Sequence, residues 1–163
     1  MLVKEPWLHL GSPSHTIVTS PLGDLTLVRK AEDLVGLYFS RHRPAPEQSS
    51  IGIASDDGFV EFETQLGEYF AGSRRHFALS HVTQGTDQRQ RVWDLVSRIP
   101  YGETTTYGRL ARELDDDTTA KEVGAAVARN LLCVVVPCHR VVGADGGLTA
   151  TPEVWIVSDT CSI

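Results

Sequence analysis

Apolar and polar positions alternate along "HTIVTSPLGDLTLV" on both sides of Pro21-Leu22-Gly23-Asp24, the pattern of a β-hairpin closed by a Pro- and Gly-containing turn. "LVGLYFS", from Leu34, predicts a third strand, and "RHRPAPEQSS" after it, with two prolines and a polar end, predicts a loop. The period then changes. After Asp56-Asp57, apolar residues at Phe59, Phe62, Leu66, Tyr69 and Phe70 form the stripe of an amphipathic helix that stops at Gly72. Strands followed by a helix predict a small α+β unit over residues 14–80, behind an N-terminal extension of residues 1–13.

The second half is patterned for helices. Val92, Leu95, Val96 and Ile99 recur at i, i+3, i+4 and i+7, and Pro100-Tyr101-Gly102 ends that stretch. "YGRLAREL" (Tyr107–Leu114) and "TTAKEVGAAVAR" (Thr118–Arg129) are two short helical patterns joined by Asp115-Asp116-Asp117. A helix, a tight turn and a second helix with small residues on one face is the helix-turn-helix outline, although most helix pairs bind no nucleic acid. The run "VVVPCHRVVG" (Val134–Gly143) reads as buried strand, with a Pro, a Cys, a His and an Arg set in its middle.

Composition narrows the choice. With 163 residues, 41% of them hydrophobic, the chain can close one good core, or one core and a satellite, so disorder is excluded as the default. No window approaches the run of about 18 apolar residues that crosses a membrane. "MLVKEPWLHL" also lacks the apolar centre and cleavage site of a signal peptide. A cytoplasmic protein without a membrane partner is expected. The formal net charge of -6 argues against holding nucleic acid by bulk electrostatics. Residues 84–149 are close to balanced, with eight Lys or Arg against nine Asp or Glu, so any nucleic-acid footprint must be local.

Cys133, Cys138 and Cys161 are an odd number without paired short spacing, which predicts neither a disulfide framework nor a zinc ribbon, and no metal is expected. The question about Cys138 is then one of reactivity. Either it is a small buried hydrophobe, as a free Cys usually is, with His139 and Arg140 alternating outward, or neighbouring imidazole and guanidinium groups generate a thiolate nucleophile. These residues alone leave both accounts open.

A longer pattern separates them. "GTDQRQRVW", "IPYGETTTYGRLA", "AKEVGAAVARN" and "VVVPCHRVVGADGGLT" resemble, in order and spacing, the methylated-DNA–protein-cysteine methyltransferases that repair alkylated guanine, and the resemblance covers residues 14–149. It implies an α+β chain: an N-terminal ribonuclease-H-like α/β domain (14–80) followed by a C-terminal winged helix-turn-helix domain (81–149) that carries the cysteine. The implied partner is double-stranded DNA containing alkylated guanine, with the target base flipped into a pocket and its alkyl group taken irreversibly by a thiolate. Direct displacement needs no cofactor, and a monomer is expected.

Residue by residue, the resemblance makes Cys138 the acceptor and His139 its base, with Arg140 and Pro137 supporting the site. Tyr107 matches the tyrosine that helps rotate the target nucleotide and assists at the base. Asn130 matches the hinge between recognition helix and active site. Thr118, Ala120, Lys121, Gly124, Asn130 and Tyr107 make up the implied DNA-contacting set. Lys121 stands where the family usually has an arginine that enters the base stack, and Lys keeps the charge but not the planar stacking surface. Gln88 replaces a usual aromatic, Leu131 a usual proline, and Asp115–Asp117 puts three negative charges near a DNA-facing turn.

After Thr149 the likeness stops: the family continues with Gly-Tyr-x-Gly-Gly, a loop closing over the flipped base, then a helix ending in a glutamate that orients the catalytic histidine, whereas this chain reads "ATPEVWIVSDTCSI". Synonymous codons for Ala150–Ile163 exist that, read with one added G in front, give "GYAGGLDRKRYLLD", the missing segment. The expectation is a single-base deletion near codon 150 and an impaired enzyme. Two other classes compete: an inert lesion-binding protein of the alkyltransferase-like type, which lacks the acceptor cysteine, and a helix-turn-helix regulator, which has no need of Pro-Cys-His-Arg.

Overall fold

The computed structural model describes residues 11–40 and 46–145, and the chain divides between Gln84 and Gly85 into two compact units.

In the first unit, β1 (Ser14–Ser20), β2 (Gly23–Lys30) and β3 (Asp33–Phe39) form an antiparallel meander. Gly23, at φ +95°, takes the left-handed backbone of the first turn, and Ser20 Oγ closes it, accepting from Leu22 N at 3.1 Å and donating to Gly23 O at 2.7 Å. Leu25, Leu27, Leu34 and Leu37 are wholly buried with Phe59. The stripe predicted from Phe59 forms α2 (Val60–Phe70), which buries Phe62, Leu66 and Tyr69.

The stretch read as a loop is partly structured: Gln48–Ile51 make one helical turn, α1, and Ile53–Ala54 form β4, parallel to β1, giving the order β3-β2-β1-β4. Ser50 Oγ donates to Glu47 O, and Gly52 at φ +71° turns the chain onto the sheet. Neither element is long enough to show a period. The remainder of the predicted loop, residues 41–45, lies outside the described residues.

In the second unit, α3 (Asp87–Ser97), α4 (Tyr107–Leu114) and α5 (Ala120–Ala128) each begin at a threonine cap, Thr86, Thr106 and Thr119. Thr119 and Glu122 form a reciprocal capping box. Val92, Trp93, Val96, Leu110, Val123 and Val127 fill the core between the helices. Trp93 Nε1 donates to Ala126 O at 2.9 Å, tying α3 to α5, and a Cβ on Gly85 would stand 2.6 Å from the Trp93 ring, so only Gly admits it.

The acidic turn is structural. Asp115, at φ 51°, ends α4 in the left-handed conformation. Asp116 Oδ1 accepts from Thr118 N and Oδ2 from Arg91 Nη1, at 2.7 and 2.6 Å, while Arg91 Nη2 reaches Leu114 O. The hydrogen bonds from Thr118, with help from Arg91, hold the Asp116 carboxyl below its ordinary range.

Val134–Gly143 is not the buried strand that its apolar run predicts. Residues 131–136 are bridge, turn and bend, Cys138–Arg140 form a single 3-10 turn, and only Val141–Val142 are strand, β6, paired in parallel with β5 (Thr105–Thr106). The chain turns because Asn130 captures its backbone and Pro137 has no N–H to give a ladder.

Candidate active site

Asn130 is 4% exposed and spends both ends of its side chain inside the loop. Its Oδ1 accepts from Leu132 N and its Nδ2 donates to Val136 O, both at 2.9 Å. Val136 N returns to Leu132 O, and Cys138 N to Val136 O, each at 2.8 Å. This folding carries Val134 to φ +73°, a conformation that costs a β-branched residue dearly and persists only where its surroundings over-determine it. Asn130, which the resemblance placed at the hinge and among the DNA-contacting residues, braces the loop from within: both its polar ends are occupied and almost none of it meets solvent.

The loop presents Cys138 and His139 together at the start of the 3-10 turn, both buried. The Cys138 thiol is held below its ordinary range, first by a hydrogen bond from the Cys133 thiol and then by the Asn130 side chain and the backbone N–H groups of residues 138 and 139, which outweigh the opposing effect of burial. His139 is pushed down to about 3, chiefly by burial and secondly by the charge of Arg140. The imidazole is therefore neutral at physiological pH, and it is hydrogen bonds, not an imidazolium, that favour ionisation of the thiol. Arg140 Nη1 donates to Ile99 O at 2.7 Å, and its guanidinium lies 5.5 Å from the Tyr101 ring centre. Pro137, buried, accepts Arg140 N on its carbonyl and so closes the turn.

Tyr107 opens α4 immediately after β5. The Thr106–Val142 pairing therefore sets the start of that helix beside the strand that leaves the reactive turn. Its ring faces α5, about 3.8 Å from where a Cβ on Gly124 would stand. Ala120 and Lys121 are exposed on the first turn of α5, while Gly124 and Thr118 are half-buried, and Thr118 Oγ1 accepts from Gln88 Nε2 at 3.2 Å. The implied residues thus fall into a reactive loop (Asn130, Pro137, Cys138, His139, Arg140) and a helical face (Tyr107, Thr118, Ala120, Lys121, Gly124), joined by the β5–β6 pair. Cys133, given no role from the sequence, belongs to the first group; no periodicity marks it. Among the described residues no group of His, Cys, Asp or Glu could hold a metal, and no helix is long and apolar enough to cross a membrane.

Two family models match the chain: the ribonuclease-like domain of 6-O-methylguanine DNA methyltransferase over residues 14–80, and its DNA binding domain over residues 87–158. The chain belongs to the 6-O-methylguanine DNA methyltransferases. It is 36% identical over 135 residues to a methylated-DNA–protein-cysteine methyltransferase of Methanosarcina acetivorans, covering 83% of this chain and 86% of that protein. The crystal structure of the Mycobacterium tuberculosis O6-methylguanine methyltransferase superposes with a TM-score of 0.83 at 32% identity, covering 92% of this chain and 93% of that one. A second Mycobacterium tuberculosis structure, solved in complex with DNA, gives 0.77 at 35% identity over 86% and 84% of the two chains. The family is one of single-turnover DNA-repair transferases, and the mixed α and β architecture of this methyltransferase agrees with theirs. The segment after Thr149, read from the sequence as atypical, lies outside the described residues, while the match to the DNA binding domain runs on to residue 158.

Proposed function

We propose that this methyltransferase repairs double-stranded DNA by moving an alkyl group from oxygen-6 of guanine to Cys138. The observation that carries the reading is Cys138, buried beside His139 on the turn that Asn130 braces, with its thiol held below its ordinary range by hydrogen bonds. The thiolate attacks the alkyl carbon in line with the carbon–oxygen bond. A carbon–sulfur bond forms, the electron pair of the broken bond goes to guanine oxygen, and the base regains a ring proton with Tyr107 assisting. The thioether is not hydrolysed, so each molecule reacts once.

The thiol proton leaves toward His139, through a water. A neutral imidazole can receive it, and an imidazole this weakly basic passes it on rather than keeping it. Arg140 and Pro137 hold the turn. The exposed start of α5, with Ala120 and Lys121, lies along the duplex, and Thr118, Gly124 and Tyr107 complete the contacting face. The protein works as a cytoplasmic monomer, and the segment after Thr149 lowers its rate relative to its relatives.

The test is to incubate the protein with duplex carrying a labelled O6-methylguanine and to map the label by peptide mass. One methyl on Cys138 is expected; label mainly on Cys133 or Cys161 overturns the assignment. Binding of the lesion without transfer would favour the alkyltransferase-like alternative, whose members lack the acceptor cysteine that this chain has.

A further inference from the structure

The sheet of the first unit is covered along one edge and open along part of the other. Beyond β3 the chain returns at residues 80–82, where Leu34 N donates to Ser80 O and Val82 N to Leu34 O, both at 3.0 Å. On the opposite side β4 covers only the beginning of β1: it pairs with Ser14 and His15, and Ser55 N donates to His15 O at 2.9 Å. Backbone groups of alternate residues point to the same edge of a strand. His15 therefore shares its edge with Ile17 and Thr19, whose N–H and C=O groups no described residue meets there. Natural edges are blunted by charge, proline or a bulge. From Thr16 to Ser20 this one has none of them, and Ile17 is 64% exposed.

On the inner face of the same stretch lies a groove of about 330 Å³ between the hairpin and α2, walled by Val18, Leu25, Leu66 and Phe70. Gly67 leaves it uncovered, since a Cβ there would meet nothing within 4 Å. Glu63 stands half-buried in the groove wall. Of the glutamates on α2, Glu61 accepts from Gln65 at 3.2 Å and Glu68 pairs with Arg74 at 2.6 Å, while the Glu63 carboxylate has no partner among the described residues.

We propose that this edge and groove are a docking site for an extended, basic segment of a partner protein. The segment adds to β1 as a strand, exchanging hydrogen bonds with Ile17 and Thr19. Side chains alternate across a strand, so an apolar residue enters the groove, a Lys or Arg two positions away reaches Glu63, and the opposite face of the added strand covers Ile17. Main-chain bonds give such a site its affinity and the groove its selectivity. Charge decides the occupant: a half-buried carboxylate without a counter-ion favours a cation and repels an acidic peptide. A second copy paired edge to edge brings none, because β1 holds no Lys or Arg from Ser14 to Ser20. The site lies wholly in the first unit and asks nothing of Cys138.

The probe is a capped synthetic peptide, Thr-Lys-Thr-Leu-Thr-Lys-Thr, whose central Leu has a Lys two positions away on either side and so suits either strand direction. At millimolar peptide the amide hydrogens of Ile17 and Thr19, followed by NMR of the full chain, should exchange about tenfold more slowly. Gly67→Leu fills the groove and puts a better helix former inside α2, so it should abolish binding with the fold intact. Glu63→Gln should weaken binding roughly fivefold, the worth of one ion pair near a surface. The same peptide with Glu in place of Lys should not bind. Unchanged exchange at Ile17 and Thr19, undiminished binding by either variant, or equal binding of the acidic peptide overturns the proposal. Protection of those amides that grows with protein concentration, without peptide, assigns the edge to a second copy and overturns it as well.

Discussion

His139 and Asn130 show how much of this site is decided by single side chains. Burial and Arg140 hold His139 down to about 3, whereas the same imidazole in an unfolded chain protonates near its ordinary value of 6.5. Between those values the unfolded state binds a proton that the folded state refuses, so stability rises with pH across that window and is lost on acidification. At full effect the difference is on the order of 5 kcal/mol. The urea midpoint should therefore fall between pH 7 and pH 4, and His139→Gln, which cannot titrate, should fall less steeply; parallel slopes would show that other groups govern the acid sensitivity. Asn130 acts through geometry. Asn130→Ala leaves Leu132 N buried without its partner, at a cost of about 1–3 kcal/mol, and takes from Val136 O one of its two donors, Cys138 N remaining. The same change removes a donor from the neighbourhood of Cys138. Chemical denaturation should thus show a loss of about 1–3 kcal/mol, and iodoacetamide alkylation of Cys138 should shift to higher pH. A variant as stable as the parent would mean that the loop closes without its brace.

At the scale of elements, the proposed function puts the contact with DNA on α5, which is tied to α3 through Trp93 and Ala126. Lys121 is exposed on the first turn of α5, whereas Arg74 in the first unit is engaged with Glu68 at 2.6 Å. Lys121→Ala should weaken binding to lesion-bearing duplex, measured by fluorescence anisotropy at fixed salt, and Arg74→Ala should not. Lys121→Arg should strengthen it, since a planar guanidinium stacks on bases and an ammonium does not. Equal losses in the two alanine variants would mean that α5 is not the recognition helix. These helices were legible in the sequence because each has an apolar stripe of period 3.6 and a threonine cap: "YGRLAREL" corresponds to α4 residue for residue. The reactive loop was not, since its conformation comes from one asparagine bonding backwards and forwards to the backbone, which overrides the β-preference of three valines. The residue types of the site could be named from Pro-Cys-His-Arg, but not the turn that presents them. The acidic run, read as three negative charges near a DNA-facing turn, also has structural work that its sequence does not show: Asp115 ends a helix and Asp116 binds Arg91 and Thr118.

For the whole molecule, the proposed function makes the balance of charge and the segment after Thr149 the limits on activity. With a net charge of -6, no broad positive field draws the protein to DNA, so affinity rests on few phosphate contacts and should fall only gently with salt. A weakly held duplex makes retention of the flipped base depend more heavily on what covers it. In the family that the chain belongs to, the resemblance assigns this covering to a Gly-Tyr-x-Gly-Gly loop, and the peptide "GYAGGLDRKRYLLD", obtained from Ala150–Ile163 by a one-base change of frame, supplies one of matching pattern. Excluding water from the pocket strengthens the interactions that stabilise the developing charge on guanine and strips the thiolate of solvation that blunts its attack. Replacing residues 150–163 by that peptide should therefore raise the rate of alkyl transfer to Cys138 tenfold or more, about 1.4 kcal/mol off the barrier. Single-turnover kinetics on methylated duplex would measure it, with the iodoacetamide reaction of Cys138 as reference. A gain confined to the DNA reaction means that the restored segment acts on the bound base. A matching gain in both reactions would trace it to the thiol, and no gain in either would show that residues 150–163 do not limit the chemistry.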